Sequence, residues 1–219
     1  MALLKAFVSW SGGKDSSLAF YRARMKGIHI ICLINMLSED GNYSRSHGIS
    51  SELLKIQAEA IGVPIIQKKT TWESYEEEFK KTLLWLKKEG VHAGVFGDID
   101  IQEHKDWVEK ICMETGIKAI LPLWNEEKEI LLGEFINSGF KAIVCSINSF
   151  FLGSEWLGRE VDFDFIKDLK VLGNIDLCGE KGEYHTFVYD GPIFKFPIRV
   201  CTGKWIQKDK NLFLEIWKC

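Results

Sequence analysis

The chain lacks a long apolar run, a strong charge bias and any paired-cysteine spacing, and each absence removes a class of function. No stretch approaches the apolar length needed to span a membrane. Net charge is −3 and no long basic run occurs, so tight nonspecific binding of nucleic acid through phosphate neutralisation is not favoured. Six cysteines, at positions 32, 112, 145, 178, 201 and 219, fall at neither C-x-x-C nor metal-ligand spacing. Such scattered cysteines read as reduced thiols of a cytoplasmic protein. There is no internal repeat, no low-complexity tract and no Ser- or Pro-rich linker. What is present is ordinary for a globular chain: 219 residues, 46% hydrophobic and 27% charged, enough for one large domain or a main domain with an appendage. The short apolar segment near the start runs straight into a glycine turn and reads as a strand, not a signal peptide.

That turn, Ser9-Trp10-Ser11-Gly12-Gly13-Lys14-Asp15-Ser16-Ser17, is the most informative segment. A strand, a glycine turn and a helix place backbone N–H groups and a helix N-terminus against a phosphate. Gly12 and Gly13 permit close backbone approach, Ser11, Ser16 and Ser17 add hydroxyls and Lys14 adds a cation. It is not a Walker A loop, because the glycines are adjacent and an acid follows the lysine. As a plain surface turn, the same residues would use Asp15 as a helix N-cap. The string from Ser11 to Ser16 resembles the pyrophosphate-binding loop of the PP-loop ATP pyrophosphatases, and that resemblance implies AMP and pyrophosphate as products.

Strand-like runs at 3–9, 28–36, 64–67, 92–96 and 118–121 alternate with helical patterns at 15–26, 49–61, 73–89 and 102–115. Leu18, Tyr21, Arg22 and Met25 give the helical spacing of the first helix. The alternation predicts an α/β fold, a doubly wound, Rossmann-like parallel sheet with crossover helices. After Trp124 the pattern changes. Helices are expected at 129–138 and 163–172, and strands at 141–146, 185–189, 193–200 and 212–217. Residues 1–125 therefore read as an ATP-binding domain and 126–219 as a smaller α+β substrate-binding domain. The eight tryptophans and the β-rich tail from Ile193 to Trp217 suit either a homodimer contact or core filling.

Ligands of open α/β sheets sit at the carboxyl ends of the strands. Past the second strand, Asn35 and Met36 are placed to meet the adenine edge, or else Met36 is plain core. Arg45 and His47 follow as donors for an anion or the substrate, or as solvated loop residues. Past the fourth strand comes Gly97-Asp98-Ile99-Asp100. Asp98 suits Mg²⁺ or an acceptor amine, with a helix N-cap as the alternative. A second polar cluster spans Glu180-Lys181-Gly182-Glu183-Tyr184-His185-Thr186.

The glycine loop, Phe96-Gly97-Asp98-Ile99, Leu121-Pro122-Leu123-Trp124, Trp156-Leu157-Gly158-Arg159, and Gly182-Glu183-Tyr184 followed by Phe187-Val188-Tyr189-Asp190-Gly191-Pro192 occur in this order. Together they resemble the diphthine–ammonia ligase family of PP-loop proteins, from residue 5 to about 195. The resemblance implies an ATP-dependent ligase that adenylates a carboxylate and amidates it with ammonia or another amine. In that family the acceptor is diphthine on elongation factor 2. Diphthamide-forming members read Glu-Gly-Gly-Glu-Tyr-Glu-Thr, whereas this chain has Lys181 and His185 in place of a glycine and a carboxylate. The His form resembles a bacterial branch associated with cobalamin salvage. On this reading ATP and Mg²⁺ are the cofactors, and Ser9 to Ser16 hold the phosphates. Lys14, Asp98, Glu183 and His185 are catalytic, while Arg45, His47, Gly97, Glu180, Gly182, Tyr184 and Thr186 contact the acceptor. tRNA thiolation and a non-catalytic ATP or AMP sensor are the rival readings.

Overall fold

The computed structural model describes residues 3–45 and 47–219. Its first half alternates β1 (Lys5–Ser9), α1 (Lys14–Met25), β2 (His29–Leu37), α2 (Ser51–Ile61), β3 (Ile65–Lys69), α3 (Tyr75–Lys88), β4 (Ala93–Val95), α4 (Gln102–Thr115) and β5 (Lys118–Ile120). The five strands are all parallel, in the order β3-β2-β1-β4-β5. Chain order reverses between β1 and β4, which opens a crevice at their carboxyl ends. The apolar run of β1 explains its central place. Phe7 packs on one face with Phe79 and Phe96, while Ala6 and Val8 join the core of the other.

The second half contains α5 (Lys128–Asn137), β6 (Lys141–Asn148), a short 3₁₀ turn (Ser154–Trp156), α6 (Phe163–Leu172), β7 (Tyr184–Asp190), β8 (Val200–Lys208) and β9 (Asn211–Lys218). The strands form an antiparallel sheet in the order β7-β6-β9-β8. This α+β part packs on the α1/α2 side of the first sheet, and one apolar core runs through both, from Ala6 and Leu54 to Phe135, Val144 and Phe187. No helix among the described residues is long and apolar enough to cross a membrane.

Several local expectations change. Residues 193–199 are irregular, not a strand: Pro192 and Pro197 have no N–H to give a ladder. Ile193 and Ile198 are apolar because they are buried in that irregular path. The strand lies instead at β8, the sheet edge, whose residues are nearly all exposed and carry no hydrophobic alternation to reveal it. Met25 is 71% exposed, and α1 buries Leu18, Ala19, Phe20 and Ala23. Not all six cysteines are free thiols: Cys201 and Cys219 form a disulfide across the β8–β9 hairpin, and the other four are buried thiols. The hairpin register pairs Val200 with Lys218 and so sets Cys219 beside Cys201, a proximity invisible in the sequence spacing. Trp10 and Trp156 are buried, whereas Trp72, Trp85, Trp205 and Trp217 are exposed, so the tryptophans are not uniformly core.

Candidate active site

The glycine loop leaves β1 at the crevice and turns into α1. Gly12 has φ +85°, and a Cβ there would lie 2.5 Å from the Leu54 side chain. Only glycine combines that backbone with that proximity. The N-cap of α1 is Gly13, and Asp15 lies in the first turn, so the capping alternative for Asp15 does not hold. Internal bonds shape the loop: the Gly13 amide donates to Ser11 Oγ (3.2 Å), Ser16 Oγ donates to the Gly13 carbonyl (3.1 Å), and the two serine hydroxyls lie 3.1 Å apart. Gln57, wholly buried on α2, accepts from Trp10 Nε1 at 2.8 Å and donates to the Gly12 and Val188 carbonyls.

Partners from β7 complete the cradle. The Lys14 amide donates to Thr186 Oγ1 at 3.0 Å, and the Val188 amide donates to the Gly12 carbonyl at 3.0 Å. Lys14 Nζ pairs with Asp15 at 2.8 Å, donates to the Cys178 carbonyl and sits 5.1 Å above the Tyr184 ring. Burial works against the ammonium, yet the attraction of Asp15 and its neighbours more than offsets this and Lys14 stays charged. The loop and the late motif, distant in sequence, are thus one site.

A cavity of about 290 Å³ lies over this junction. Ser9, Trp10, Ser11, Lys14, Asp15 and Ser16 line it, as do Asn35, Met36, His47, Gly97 and Asp98. Glu180, Tyr184, His185 and Thr186 line its far wall. Gly97 supports the loop from behind: a Cβ there would lie 2.9 Å from the Asp15 carbonyl carbon and the Ser16 nitrogen. Asn35 Nδ2 donates to the Trp10 carbonyl and to Ser44, leaving Oδ1 buried without a partner at the cavity wall.

Three of the expected acceptor or catalytic residues lie elsewhere. Arg45 donates to Thr70 Oγ1 at 3.1 Å, stacks over Trp72 and does not line this cavity. Gly182 and Glu183 also lie off the wall. Glu183 is 1% exposed, and its two oxygens accept from the amides of Asp176 and Lys181, each at 3.0 Å. It holds the loop that carries Glu180. Asp98 is not a helix cap, because α4 starts at Gln102 after an Ile101 N-cap, and its carboxylate faces His104 at 3.4 Å. Asp100 pairs with Lys128. Trp156 and Arg159 stack together away from the cavity and are scaffold.

Electrostatics separate the titratable groups. Burial, reinforced by Asp15, pushes the Glu180 carboxyl up to about 7. Burial, with the Lys14 charge, pushes His185 down to about 4, and His47 is likewise held well below its usual range. The two imidazoles lie 4.3 Å apart and both are neutral near neutral pH. So low a pKa makes His185 a weak proton acceptor, whereas Glu180 is matched to neutral pH. Cys178 also lines the cavity, its thiol pushed up to about 12 by burial, and no second cysteine joins it among the described residues.

Gln57, Tyr75 and His104 belong to the site or its support without having been singled out from the sequence. Gln57 left a trace there: a polar residue inside the apolar stripe of a helix. His104 and Tyr75 left none, because only the packing of α3 and α4 brings them to the crevice.

The description "Diphthamide synthase N-terminal domain" matches residues 4–119, and "Diphthamide synthase C-terminal domain" matches residues 127–219. A mouse protein named diphthine–ammonia ligase is 27% identical, covering 94% of this chain and 86% of its own length. The zebrafish protein of that name is 29% identical over 94% and 90%. A crystal structure described as a predicted subunit of tRNA methyltransferase from Methanocaldococcus jannaschii has a TM-score of 0.48 at 18% identity, covering 87% of this chain and 98% of that one. With both family descriptions together spanning nearly its whole length, this chain belongs to the diphthamide synthase family.

Proposed function

We propose that this protein is an AMP-forming, ATP-dependent amide ligase of the diphthine–ammonia ligase type. An acceptor carboxylate oxygen attacks the α-phosphorus of ATP, the bond to the β-phosphate oxygen breaks, and pyrophosphate leaves. Ammonia then attacks the acyl carbon, AMP departs with the C–O electron pair, and the surplus proton goes to a base. The observation that carries this reading is the joining of the glycine loop to the late motif through Lys14 and Thr186, around one cavity.

Ser9 to Ser16 would bind the phosphates, with Lys14 as the fixed cation. Asn35, through its unpaired oxygen, would accept from the nucleotide. Among the described residues no three His, Cys, Asp or Glu side chains converge as a metal site. Mg²⁺ does not need such a set, since it uses one or two carboxylates together with phosphates. Asp15 and Asp98 both line the cavity and supply hard oxygen donors of that kind. Bound Mg²⁺ would neutralise charge on the leaving pyrophosphate. Glu180 is the base that takes the proton from the incoming amine, and His185 and His47 form a neutral wall. Glu183 is a positioning residue acting through the 176–182 loop.

The rivals fare less well. A thiolation enzyme needs a reactive thiolate, and Cys178 is a buried, protonated thiol. A sensor would have no use for a carboxyl tuned to neutrality at the cavity wall. The test is nucleotide product analysis with Mg²⁺-ATP, ammonium and either diphthine-bearing elongation factor 2 or corrinoid acids. AMP and pyrophosphate that appear only with an acceptor support the ligase, and the acceptor that works decides between diphthine and cobalamin salvage. ADP, or no turnover despite ATP binding, overturns it.

A further inference from the structure

Lys128 is the first residue of α5, where a cation opposes the helix dipole and adds nothing to the helix. Two carboxylates from distant parts of the chain account for it. Its ammonium pairs with Asp100, past the carboxyl end of β4, and with Asp176, in the loop before β7. The Asp176 side chain is 6% exposed and that of Lys128 22%, so this pair is largely shielded from water. Burial works against the Asp176 carboxylate, yet the bonds from Lys128 and from the Cys178 and Glu180 amides more than offset it and hold the carboxyl below its usual range. Burial likewise works against the ammonium, and the two carboxylates more than offset that and keep Lys128 charged.

The same lysine holds the loop a second time, because Cys178 Sγ donates to the Lys128 carbonyl at 3.7 Å. The Cys178 amide in turn donates to Asp176 Oδ1 at 2.9 Å. Among the described residues, the hydrogen bonds that join 176–182 to anything beyond the adjoining Glu183 and Tyr184 come from Lys14 and Lys128. Glu183 fixes the loop from the β7 side, and Lys128 fixes it to the stretch after β4. That stretch carries Asp98, and the loop carries Glu180, both on the cavity wall. Lys128 itself does not line the cavity.

We propose that Lys128 is a positioning residue for the amidation step: its ion pairs with Asp100 and Asp176 fix the 176–182 loop so that the Glu180 carboxyl faces the cavity and the Cys178 carbonyl meets Lys14. The inference rests on the ligase reading, in which Glu180 takes the proton from the incoming amine. Proton transfer needs hydrogen-bond geometry, so a small displacement of that carboxyl costs rate steeply. Nucleotide binding depends on the glycine loop and on Lys14, which keeps its pair with Asp15 when the 176–182 loop loosens. Lys128 therefore acts on the step that releases AMP, not on ATP affinity or on the release of pyrophosphate.

The test compares the whole chain with Lys128→Met, with Lys128→Arg and with a double variant, Lys128→Met plus Asp176→Asn. Lys128→Met alone leaves the Asp176 charge buried without its partner and lowers the melting temperature. The double variant removes that charge, while asparagine still accepts from the Cys178 amide. Pyrophosphate and AMP release are followed with Mg²⁺-ATP, ammonium and either diphthine-bearing elongation factor 2 or a corrinoid acid, and ATP affinity is measured by calorimetry. The expected result is a kcat for AMP release at least about tenfold lower in Lys128→Met, with the single-turnover burst of pyrophosphate and the ATP affinity both within about threefold of wild type. The double variant should regain melting temperature without regaining kcat, and Lys128→Arg, which can still meet both carboxylates, should regain most of it. Alkylation of Cys178, located by peptide mapping, should quicken in Lys128→Met and in the double variant while Cys32, Cys112 and Cys145 stay protected. A kcat that recovers together with melting temperature, equal losses in the Met and Arg variants, ATP affinity falling in step with kcat, or a Cys178 no more reactive than in wild type would each overturn the positioning role. No AMP from the wild type with either acceptor would instead remove the ligase reading, and the positioning role with it.

Discussion

Replacing Glu180 with glutamine tests the electrostatics of the site in two independent ways. Its carboxyl rises from 4.5 to about 7, chiefly through burial and then through the charge of Asp15. At low pH the group is protonated in both folded and unfolded chains and costs nothing. As pH rises above 4.5 the unfolded chain releases the proton while the folded chain keeps it, so stability falls until the folded group also ionises near 7. The resulting penalty is about 1 kcal/mol at about pH 5 and about 3 kcal/mol at about pH 8. Glutamine has the same shape and no charge, so Glu180→Gln escapes the penalty. Relative to wild type it gains about 2 kcal/mol more at the higher pH than at the lower. For a chain of this size that is a difference of roughly 4–8 °C in the melting-temperature increment. Thermal unfolding of both proteins at the two pH values measures it. An increment that does not change with pH would refute the burial argument. Product analysis supplies the second arm: wild-type rate should climb as pH passes about 7, and the variant should lose roughly 10²- to 10⁴-fold. Full activity in Glu180→Gln would remove its role as base while leaving the burial argument intact.

Glu183→Ala should cost about 1–3 kcal/mol, because the amides of Asp176 and Lys181 lose their buried acceptor, and it should abolish amide formation while ATP still binds. Glu183→Gln, which can still accept one of those bonds, should recover part of the activity, and equal loss in both variants would argue against a positioning role. Gly97→Ala would press a methyl group against the Asp15–Ser16 backbone, which cannot swing aside as a side chain can, so ATP affinity measured by calorimetry should fall at least about tenfold, or about 1.4 kcal/mol. Normal affinity would show that the loop yields. Thiol titration under non-reducing denaturing conditions should find four thiols of the six cysteines, and none reacting rapidly in the native protein, whereas six in the denatured chain would contradict the Cys201–Cys219 pairing.

The helices and strands of the first half were legible because their periods are unambiguous. A short strand with an apolar centre, a double-glycine turn and a helical stripe can be satisfied together only in a strand–turn–helix unit, and four repetitions of the alternation leave a parallel sheet as the economical answer. The glycine loop was legible for the same local reason: φ +85° at Gly12 and the nearness of Leu54 demand a residue without a Cβ. β8 was not legible, because an exposed edge strand buries no face and so imprints no period. The roles of Glu180 and Glu183 were beyond the sequence as well. They are the same residue type three positions apart in one loop, yet one oxygen pair faces a cavity and the other is consumed by two backbone amides. What a carboxylate does depends on desolvation and on neighbours such as Asp15, Lys14 and Asp98, which come from other elements. The sequence by itself determined the sheet, the glycine turn at its carboxyl edge and the family. Tertiary structure alone decided which acid is tuned to neutral pH, which histidines touch and which cavity opens onto the glycine loop, because burial and Coulomb interactions act through space and not along the chain.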